Sequence, residues 1–452
     1  MESLLDALNG KSKRRLSYLW KILLNPTNYL IPETFEDYKS KSFAISVPTI
    51  KLEGTECYLN DKAQKECRNF ANIIYEIPEI RDTLTYNTIY DSILNEIETE
   101  IRKQLKHSKL REFDLVLKDL SVKILEKRRD YTFFFSISGI ELKDVSRVNF
   151  GTSELFLFKQ ADKEDLIQSM DAEIEEDSTF TKNVTKFIEK RFLEKVCIKC
   201  ASFGDFRKAE EIARTRGRQI LNLLRFIVCV LFHSWAPENL IKINFTSETY
   251  AASEPLMSVE SLNGAVTMGW EHGRKTVQSL TIDNQLLDNL KKNIFFKDIN
   301  EIINALERTE VESILLTAIH WAGEAQNEFD KDVAFIKYWT ALESIFSQHS
   351  SNITHTLGKG VSILAAFGGY RFIKHKEIRE VYKAIKDLYS IRSTIIHRGL
   401  GKNVEYSALS SICKYTAWTI LGLLHLRSIG YNSMVEIENE TCRLFKINAP
   451  DL

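Results

Sequence analysis

Proline and glycine are scarce in this chain of 452 residues, which contains 7 prolines and 18 glycines. Proline interrupts helices because it lacks a backbone N–H and clashes with the preceding turn. Four of the prolines lie before residue 80, so the remainder of the chain is free to form long helices. With 44% hydrophobic and 27% charged residues, the composition is that of a globular protein of two or three domains.

Neither positive nor negative charge is in excess, since the chain contains 61 lysines and arginines and 62 aspartates and glutamates. Non-specific nucleic-acid binding depends on many cations placed against phosphates. The balance argues against a coat protein that relies on bulk basicity, although it leaves room for a local basic groove.

A membrane span and a secretion signal are also missing. The most apolar stretch, 220–235, is too short for a span and contains Arg225 and His233, so it predicts a buried helix. Residues 1–13 are polar and lack the apolar core of a signal peptide. Seven cysteines, an odd number, favour a reducing compartment without disulfides. We expect a cytoplasmic protein that does not associate with membranes.

Hydrophobic patterning changes several times along the chain. Helical spacing marks 88–107, 164–199 and 205–232, whereas β-branched and aromatic residues mark strands within 113–158 and 241–280. The segment DLVLKDLSVKI is included among those strands. Beyond Asp283 helices are predicted at 284–294, 298–308, 310–328, 331–348, 377–397 and 404–428. The polar stretch 347–356, which contains His349 and His355, is interpreted as a surface loop.

These patterns predict an α+β protein in which a mixed α/β N-terminal region precedes an all-α bundle. The expected domains are 1–200 (mixed α/β, sensing or regulatory), 201–295 (a helix and a β-rich middle region), 296–430 (the helical domain) and 431–452 (a C-terminal tail).

One predicted helix carries residues suited to chemistry. In EIREVYKAIKDLYSIRSTIIHRGLG the apolar positions Ile378, Val381, Ile385, Leu388 and Ile395 define one buried face. Arg392 falls on that face, where a guanidinium needs a partner or a function, because burying an unpaired charge is costly. A purely structural ion pair, for example with Glu343, is the alternative interpretation.

His397 follows five residues later, in the last turn before Gly399 and Gly401. Histidine changes protonation near neutral pH and therefore suits proton transfer, although it can also simply terminate a helix. Five residues correspond to about 7.5 Å of rise and about 140° of rotation, so the two side chains do not converge from a regular helix. An extended arginine, a frayed last turn or a second copy of the helix in a dimer could bring them to one phosphate.

Two other motifs are weaker. Arg102 and His107 repeat the same spacing, but they lie in a highly charged stretch typical of a solvated face. Cys197-x-x-Cys200 lacks a second pair at zinc-binding spacing. No metal site and no cofactor are therefore predicted.

Residues 331–426 resemble the HEPN superfamily, most closely its ApeA-like branch. Three segments carry the resemblance in order: FIKYWTALESIF, LYSIRSTIIHRG and the apolar helix 406–426. The resemblance implies a helical bundle that forms a homodimer and cleaves RNA without a metal. The ribose 2′-hydroxyl would attack the adjacent phosphate, giving a 2′,3′-cyclic phosphate and a 5′-hydroxyl. Arg392 would bind and neutralise the phosphate, and His397 would transfer protons.

Other residues are candidates for supporting roles. Ser393 stands where many family members have Asn, Asp or His, and it can still donate a hydrogen bond. Glu343 either orients Arg392 or is merely exposed, and Tyr389 either stacks on a base or packs as an ordinary aromatic. Arg398, and Lys359 where related proteins often carry arginine, are the candidate RNA-binding cations.

The resemblance also suggests a bacterial antiphage or abortive-infection effector with a phage-derived trigger and transfer RNA as substrate. Two other functions stay open from the residues themselves. One is a HEPN-like module that binds nucleotide or RNA without cutting it, and the other is a bundle that serves only dimerisation.

Overall fold

A computed structural model shows an α+β fold in which helices predominate. The described residues are 7–30, 49–52, 55–106, 109–168, 179–232, 241–246, 254–259, 266–271, 279–292, 294–305, 307–346, 352–398 and 404–451.

The helices are numbered along the described chain. They are α1 (Gly10–Leu23), α2 (Asp61–Tyr75), α3 (Pro78–Arg81), α4 (Tyr86–Leu105), α5 (Phe113–Leu125), α6 (Gln160–Gln168), α7 (Thr179–Arg191), α8 (Phe206–Phe232), α9 (Asn284–Lys292), α10 (Ile294–Asn304), α11 (Glu310–Gln326), α12 (Lys331–Phe346), α13 (Ile353–Phe367), α14 (Ile378–Arg398), α15 (Tyr406–Ser428) and α16 (Met434–Asn448). Short 3-10 turns occupy Pro26–Asn28 and His375–Glu377.

The strands are β1 (Tyr29–Leu30), β2 (Thr49–Leu52), β3 (Thr55–Leu59), β4 (Arg129–Ser138), β5 (Ile140–Leu142), β6 (Arg147–Phe150), β7 (Ser153–Leu157), β8 (Val196–Gly204), β9 (Asn244–Phe245), β10 (Glu254–Val259), β11 (Val266–Glu271) and β12 (Leu280–Ile282). The largest sheet has the order β6-β7-β8-β4-β9, and β12 pairs with β5 in parallel.

The chain divides into two compact units that are not contiguous in sequence. The first comprises Met1–Phe133 and Ala201–Arg214. In it, helices α1, α2, α4 and α5 pack in succession. Their apolar faces enclose a core that includes Trp20 and Phe70, whose rings lie 5.9 Å apart.

The second unit comprises Phe134–Cys200 and Thr215–Leu452. Its C-terminal part is a helical bundle: α15 packs against α10, α11, α12 and α13, while α14 lies along α13 and also contacts α12. Twelve residues of α15 are buried, as expected for a helix surrounded by others.

The segment Phe113–Leu125 corrects one prediction, because it forms helix α5 and no strand. Its buried residues include Val116, Leu120 and Ile124, which recur every four positions. Such spacing places apolar side chains on one helical face, whereas a half-buried strand requires alternation. The β-branched content of the segment misled the sequence interpretation.

The opposite error occurs near residue 199. The predicted helix 164–199 is observed as α6 and α7, but Val196–Gly204 forms strand β8, where burial alternates from Lys199 onward. Helix α13 was not predicted and begins at Ile353, inside the stretch interpreted as a polar loop. The predicted tail contains helix α16, which packs on α13 and contributes Phe445 to a buried cluster.

The other long helices and the β-rich middle segment agree with the predictions in the described residues. Helix α4 matches the predicted 88–107 within two residues, and α8 occupies the predicted 205–232. Most of the apolar stretch after residue 219 is buried in α8.

Candidate active site around Arg392 and His397

Helix α14 buries one face along most of its length. The buried apolar side chains are those expected from the sequence: Ile378, Val381, Ile385, Leu388 and Ile395. The side chain of Arg392 lies between the last two and is 25% exposed. The guanidinium therefore sits at the edge of the buried face, where it needs a partner and still reaches solvent.

Glu343 on helix α12 is the partner of Arg392. The Nη2 atom of Arg392 lies 3.1 Å from Oε1 and 3.3 Å from Oε2 of Glu343. The indole Nε1 of Trp339 donates to the same carboxylate at 2.9 Å, and Trp339 is fully buried. The buried indole fixes the carboxylate, which in turn orients the guanidinium, so Glu343 is not a merely exposed side chain.

Only one guanidinium nitrogen takes part in this ion pair. Within the described ranges, Nε and Nη1 of Arg392 donate to no protein acceptor. A guanidinium presents five N–H donors in a planar fork. Arg392 therefore keeps enough donors to bind two oxygens of a phosphate while it remains attached to Glu343.

Tyr389 packs beside this pair. Its ring centre lies 5.7 Å from that of Trp339 and 5.9 Å from the guanidinium carbon of Arg392. The ring is half-buried. These contacts are those of an ordinary packing aromatic, and they also restrict the arginine side chain.

His397 is exposed and lies in the last turn of α14, which stays helical through Arg398. Its neighbour Ile396 is 51% exposed. Because the helix is continuous, the rotation of about 140° from Arg392 to His397 persists, and a frayed last turn does not join them. Arg392 is held by Glu343, so within one chain the two side chains are not brought to a common point.

Of the other two candidate residues on α14, Ser393 is described in full and Arg398 only by its backbone. Ser393 is half-buried on α14, directly after Arg392. Arg398 is the last residue of the helix, and its side chain lies outside the described residues.

Lys359 lies on helix α13 and is directed elsewhere. Its Nζ is 2.8 Å from Sγ of Cys442 on helix α16. The preceding Gly358 lies against the Tyr382 ring, which is ten residues before Arg392 and about 15 Å away along α14. Lys359 therefore does not lie beside Arg392, and its RNA-binding role stays a prediction.

His355 also differs from expectation, since it lies in α13 and not in a surface loop. Its Nδ1 is 2.7 Å from the Tyr382 hydroxyl. Burial lowers the pKa of His355, and the nearby charges of Lys359 and Lys386 lower it further. His349, interpreted as a loop histidine, lies outside the described residues.

The two cysteines of the Cys-x-x-Cys motif lie on strand β8 and are both buried. Positions three apart on a strand face opposite sides of the sheet. Consistent with this, Cys197 packs with Phe156 and Phe158, whereas Cys200 accepts from Ser153. The motif therefore does not form a paired metal or redox site.

A second polar cluster was not anticipated, although the sequence signal was an arginine within an apolar run. The side chain of Arg225 is 5% exposed and donates to Oδ1 of Asn222, Oε1 of Glu324 and Oδ1 of Asn244, each at 2.7 Å. Its Nε donates to the Ile243 carbonyl at 2.8 Å. We call these side chains, Arg225, Asn222, Glu324 and Asn244, the Arg225 network.

The network also fixes a histidine. The amide Nδ2 of Asn222 lies 2.7 Å from Nδ1 of His320, and an amide NH₂ can only donate. The Nδ1 atom of His320 therefore accepts this hydrogen bond. The sequence pattern did not indicate the contact between Asn222 and His320, because α8 and α11 are far apart along the chain.

Comparison with models of known families, with curated proteins and with solved structures finds no match. The described residues contain no group of three or more metal-ligating side chains that could hold an ion. None of their helices combines the length and apolar character that crossing a bilayer requires.

Proposed function

We propose that this protein is a metal-independent endoribonuclease of the HEPN type. The observation that carries the proposal is the partly exposed guanidinium of Arg392. It is oriented by Glu343 through one nitrogen, with its other donors available. An exposed histidine, His397, lies on the same helix. A phosphate-binding fork and a proton-transfer group are the two parts that cleavage by a ribose hydroxyl requires.

The proposed reaction consumes no water. The 2′-oxygen forms a bond to the adjacent phosphorus while the bond from phosphorus to the 5′-oxygen breaks. His397 accepts the proton of the 2′-hydroxyl or donates one to the leaving 5′-oxygen, and Arg392 neutralises the charge that develops on the phosphoryl oxygens. The products are a 2′,3′-cyclic phosphate and a 5′-hydroxyl.

The separation of Arg392 and His397 supports a composite site in a homodimer. A twofold axis places the same surface of two copies face to face, so Arg392 of one protomer can meet His397 of its partner. The exposed Ile396, adjacent to His397, supplies apolar surface for such an interface.

The biological setting rests on the family resemblance alone. We propose an antiphage or abortive-infection effector that cleaves cellular RNA, with transfer RNA as the first substrate class to test. A phage-derived trigger would act through the N-terminal part of the chain.

The ion pair also favours a second candidate function. Glu343 balances the charge of Arg392, as it would in a bundle that binds RNA or nucleotide without cutting it. Ser393 in place of the more usual Asn, Asp or His points the same way. The first function predicts RNA cleavage that requires His397, whereas the second predicts binding without cleavage.

The test is cleavage of total RNA in the presence of EDTA. We expect the wild-type protein to generate 2′,3′-cyclic phosphate ends, and His397→Ala and Arg392→Ala to lose at least about 100-fold in rate, the scale of removing a proton-transfer group. His375→Ala and Arg379→Ala serve as matched controls, because both residues are exposed and lie near the other end of α14. Equal cleavage by wild type and His397→Ala would overturn the nuclease assignment, as would no cleavage by any form with or without a trigger.

Mixing the two inactive variants tests the composite site. A heterodimer of His397→Ala and Arg392→Ala has one site with both functional residues and one with neither. After subunit exchange, about a quarter of wild-type activity should return. No recovery, from a mixture shown to contain heterodimers, would place both residues in the same protomer's site.

A further inference from the structure

A cleft of about 550 Å³ lies within the first unit, far along the sequence from the candidate nuclease residues. One wall is the face of α4 with Thr88 and Ser92, and another is formed by Lys123 on α5 and by Lys127 in the turn that follows this helix. Strand β4 and the start of α8 complete it. Its volume falls in the range of small-ligand sites, which is roughly 300–1,000 Å³.

Aromatic side chains form a platform beside the cleft, in which Phe206 is exposed and Tyr131 and Phe133 are half-buried. Phe206 is 56% exposed, although it is the first residue of a long helix. Its ring lies edge-on to that of Tyr131 at 5.7 Å and is 5.9 Å from that of Phe133. A cluster of aromatic rings that is partly exposed is apolar surface of the kind that marks binding sites.

Cations surround this platform. Lys127 and Arg129 are exposed and line the cleft, and neither forms an ion pair within the described part of the chain. Arg128, between them, stacks its guanidinium 5.6 Å from the ring of Phe203, which is itself 43% exposed. Aromatic rings that lie beside exposed cations suit a ligand with flat rings and a negative backbone.

The acidic residues nearby are mostly engaged. The carboxylate of Asp205 accepts from the backbone N–H and hydroxyl of Thr85 and from the N–H of Lys208. Glu96 is paired with both Arg111 and Lys123. Glu126 is the remaining carboxylate in the cleft lining, so the free charge there is positive on balance.

We infer that this cleft binds single-stranded nucleic acid, with bases stacking on Phe206 and Tyr131 and phosphates meeting Lys127 and Arg129. Unpaired bases are required, because the bases of a duplex stack on one another and cannot reach the rings. The inference does not depend on the nuclease proposal, since none of these residues lies on α12 or α14.

The test uses the full chain and fluorescein-labelled 12-mers in an anisotropy titration. The probes are oligo-dT and 2′-O-methyl oligo-U, neither of which has a free 2′-hydroxyl, and a 12-base-pair DNA duplex. We expect both single strands, or the RNA analogue alone, to bind more tightly than the duplex. Equal or tighter binding of the duplex would overturn the inference, as would no binding of either single strand.

The variants separate stacking from charge. Phe206→Ala should weaken single-strand binding by about tenfold or more, in line with roughly 1–3 kcal/mol for each stacked base, whereas Phe206→Trp should retain it. Phe187→Ala is the matched control, because that ring is 57% exposed and lies on α7. Equal affinities of Phe206→Ala and Phe187→Ala, with unchanged urea unfolding of both, would contradict the stacking role.

The charge component appears in the salt dependence. The logarithm of the association constant falls linearly with the logarithm of the salt concentration, and the steepness of that line counts the neutralised phosphates. Replacing Lys127 and Arg129 together by Ala should make the line less steep by about 1.4, or about 0.7 for each phosphate that is no longer neutralised. The exposed pair Lys62 and Lys118, outside the cleft lining, gives the control double variant. An identical slope for the two double variants would exclude phosphate binding at this cleft.

Discussion

Two arginines of the second unit illustrate two different uses of the same side chain. Arg225 is almost fully buried, and each of its guanidinium nitrogens donates to a protein acceptor. Arg392 is one quarter exposed and uses one nitrogen, toward a single carboxylate. A guanidinium with satisfied donors holds a structure together, whereas one with donors to spare can bind a ligand.

The comparison also extends to the carboxylates. Glu324 accepts from Arg225 near the surface, with its side chain 34% exposed, while Glu343 is fixed by the buried Trp339. The Arg225 network links residues about a hundred positions apart. The Arg392 pair joins two adjacent helices of one bundle, and in the described residues Nε and Nη1 of the arginine have no protein acceptor.

The largest expected effect is a difference in the free energy of unfolding between variants of the two arginines. Arg225→Ala should lower the free energy of unfolding by about 3–5 kcal/mol, because it leaves buried acceptors without a donor. Arg392→Ala should cost about 1 kcal/mol or less, since its ion pair is partly solvated. Urea unfolding followed by circular dichroism measures both. Should Arg225→Ala not fold, Arg225→Lys gives an intermediate loss. Similar losses for Arg225→Ala and Arg392→Ala would break the distinction.

A smaller effect is expected from Lys242, beside the Arg225 network. Its Nζ donates to the carbonyls of Gln326 and Glu328 at 2.8 and 2.6 Å, and burial lowers the pKa of Lys242 to about 7. Between that value and the unfolded pKa of about 10.4, the unfolded chain binds the extra proton, so stability should rise with pH. The rise from pH 7 to pH 9 should be on the order of 2 kcal/mol. Lys242→Met should remove this part of the pH dependence. If the free energy of unfolding rose equally with pH in the wild type and in Lys242→Met, Lys242 would not be the titrating group.

The smallest expected effect is that of Glu343→Gln, which tests whether Glu343 positions Arg392. Glu343→Gln can still accept from Trp339 but loses the charge that attracts Arg392, so stability should fall by less than about 1 kcal/mol. If Glu343 orients the arginine for phosphate binding, RNA cleavage should fall by about threefold to tenfold at saturating substrate. Glu324→Gln is the matched control, since that carboxylate belongs to the Arg225 network. Equal cleavage by wild type and both variants would remove the positioning role.

Local spacing predicted much of the helical half. Helix α14 and its buried face follow from apolar residues three and four positions apart, and the partner Glu343 was already a candidate for Arg392. Two segments were assigned to the wrong element. Phe113–Leu125 is rich in strand-forming residues but spaced for a helix, and Val196–Gly204, where burial alternates from Lys199 onward, was joined to the predicted helix 164–199. Where a segment contacts the core on one face, spacing outweighs intrinsic preference.

The sequence by itself determined the helical bundle, the buried face of α14 and the position of Arg392 on that face, because these depend on residues a few positions apart. Only the tertiary structure decided that Glu343 and Trp339 orient that arginine, that Lys359 is directed toward α16, and that Arg225 is satisfied by distant residues. It also brought Tyr131, Phe206 and their surrounding cations together. Contacts of this kind depend on how whole helices and strands pack, and a linear pattern does not contain that information.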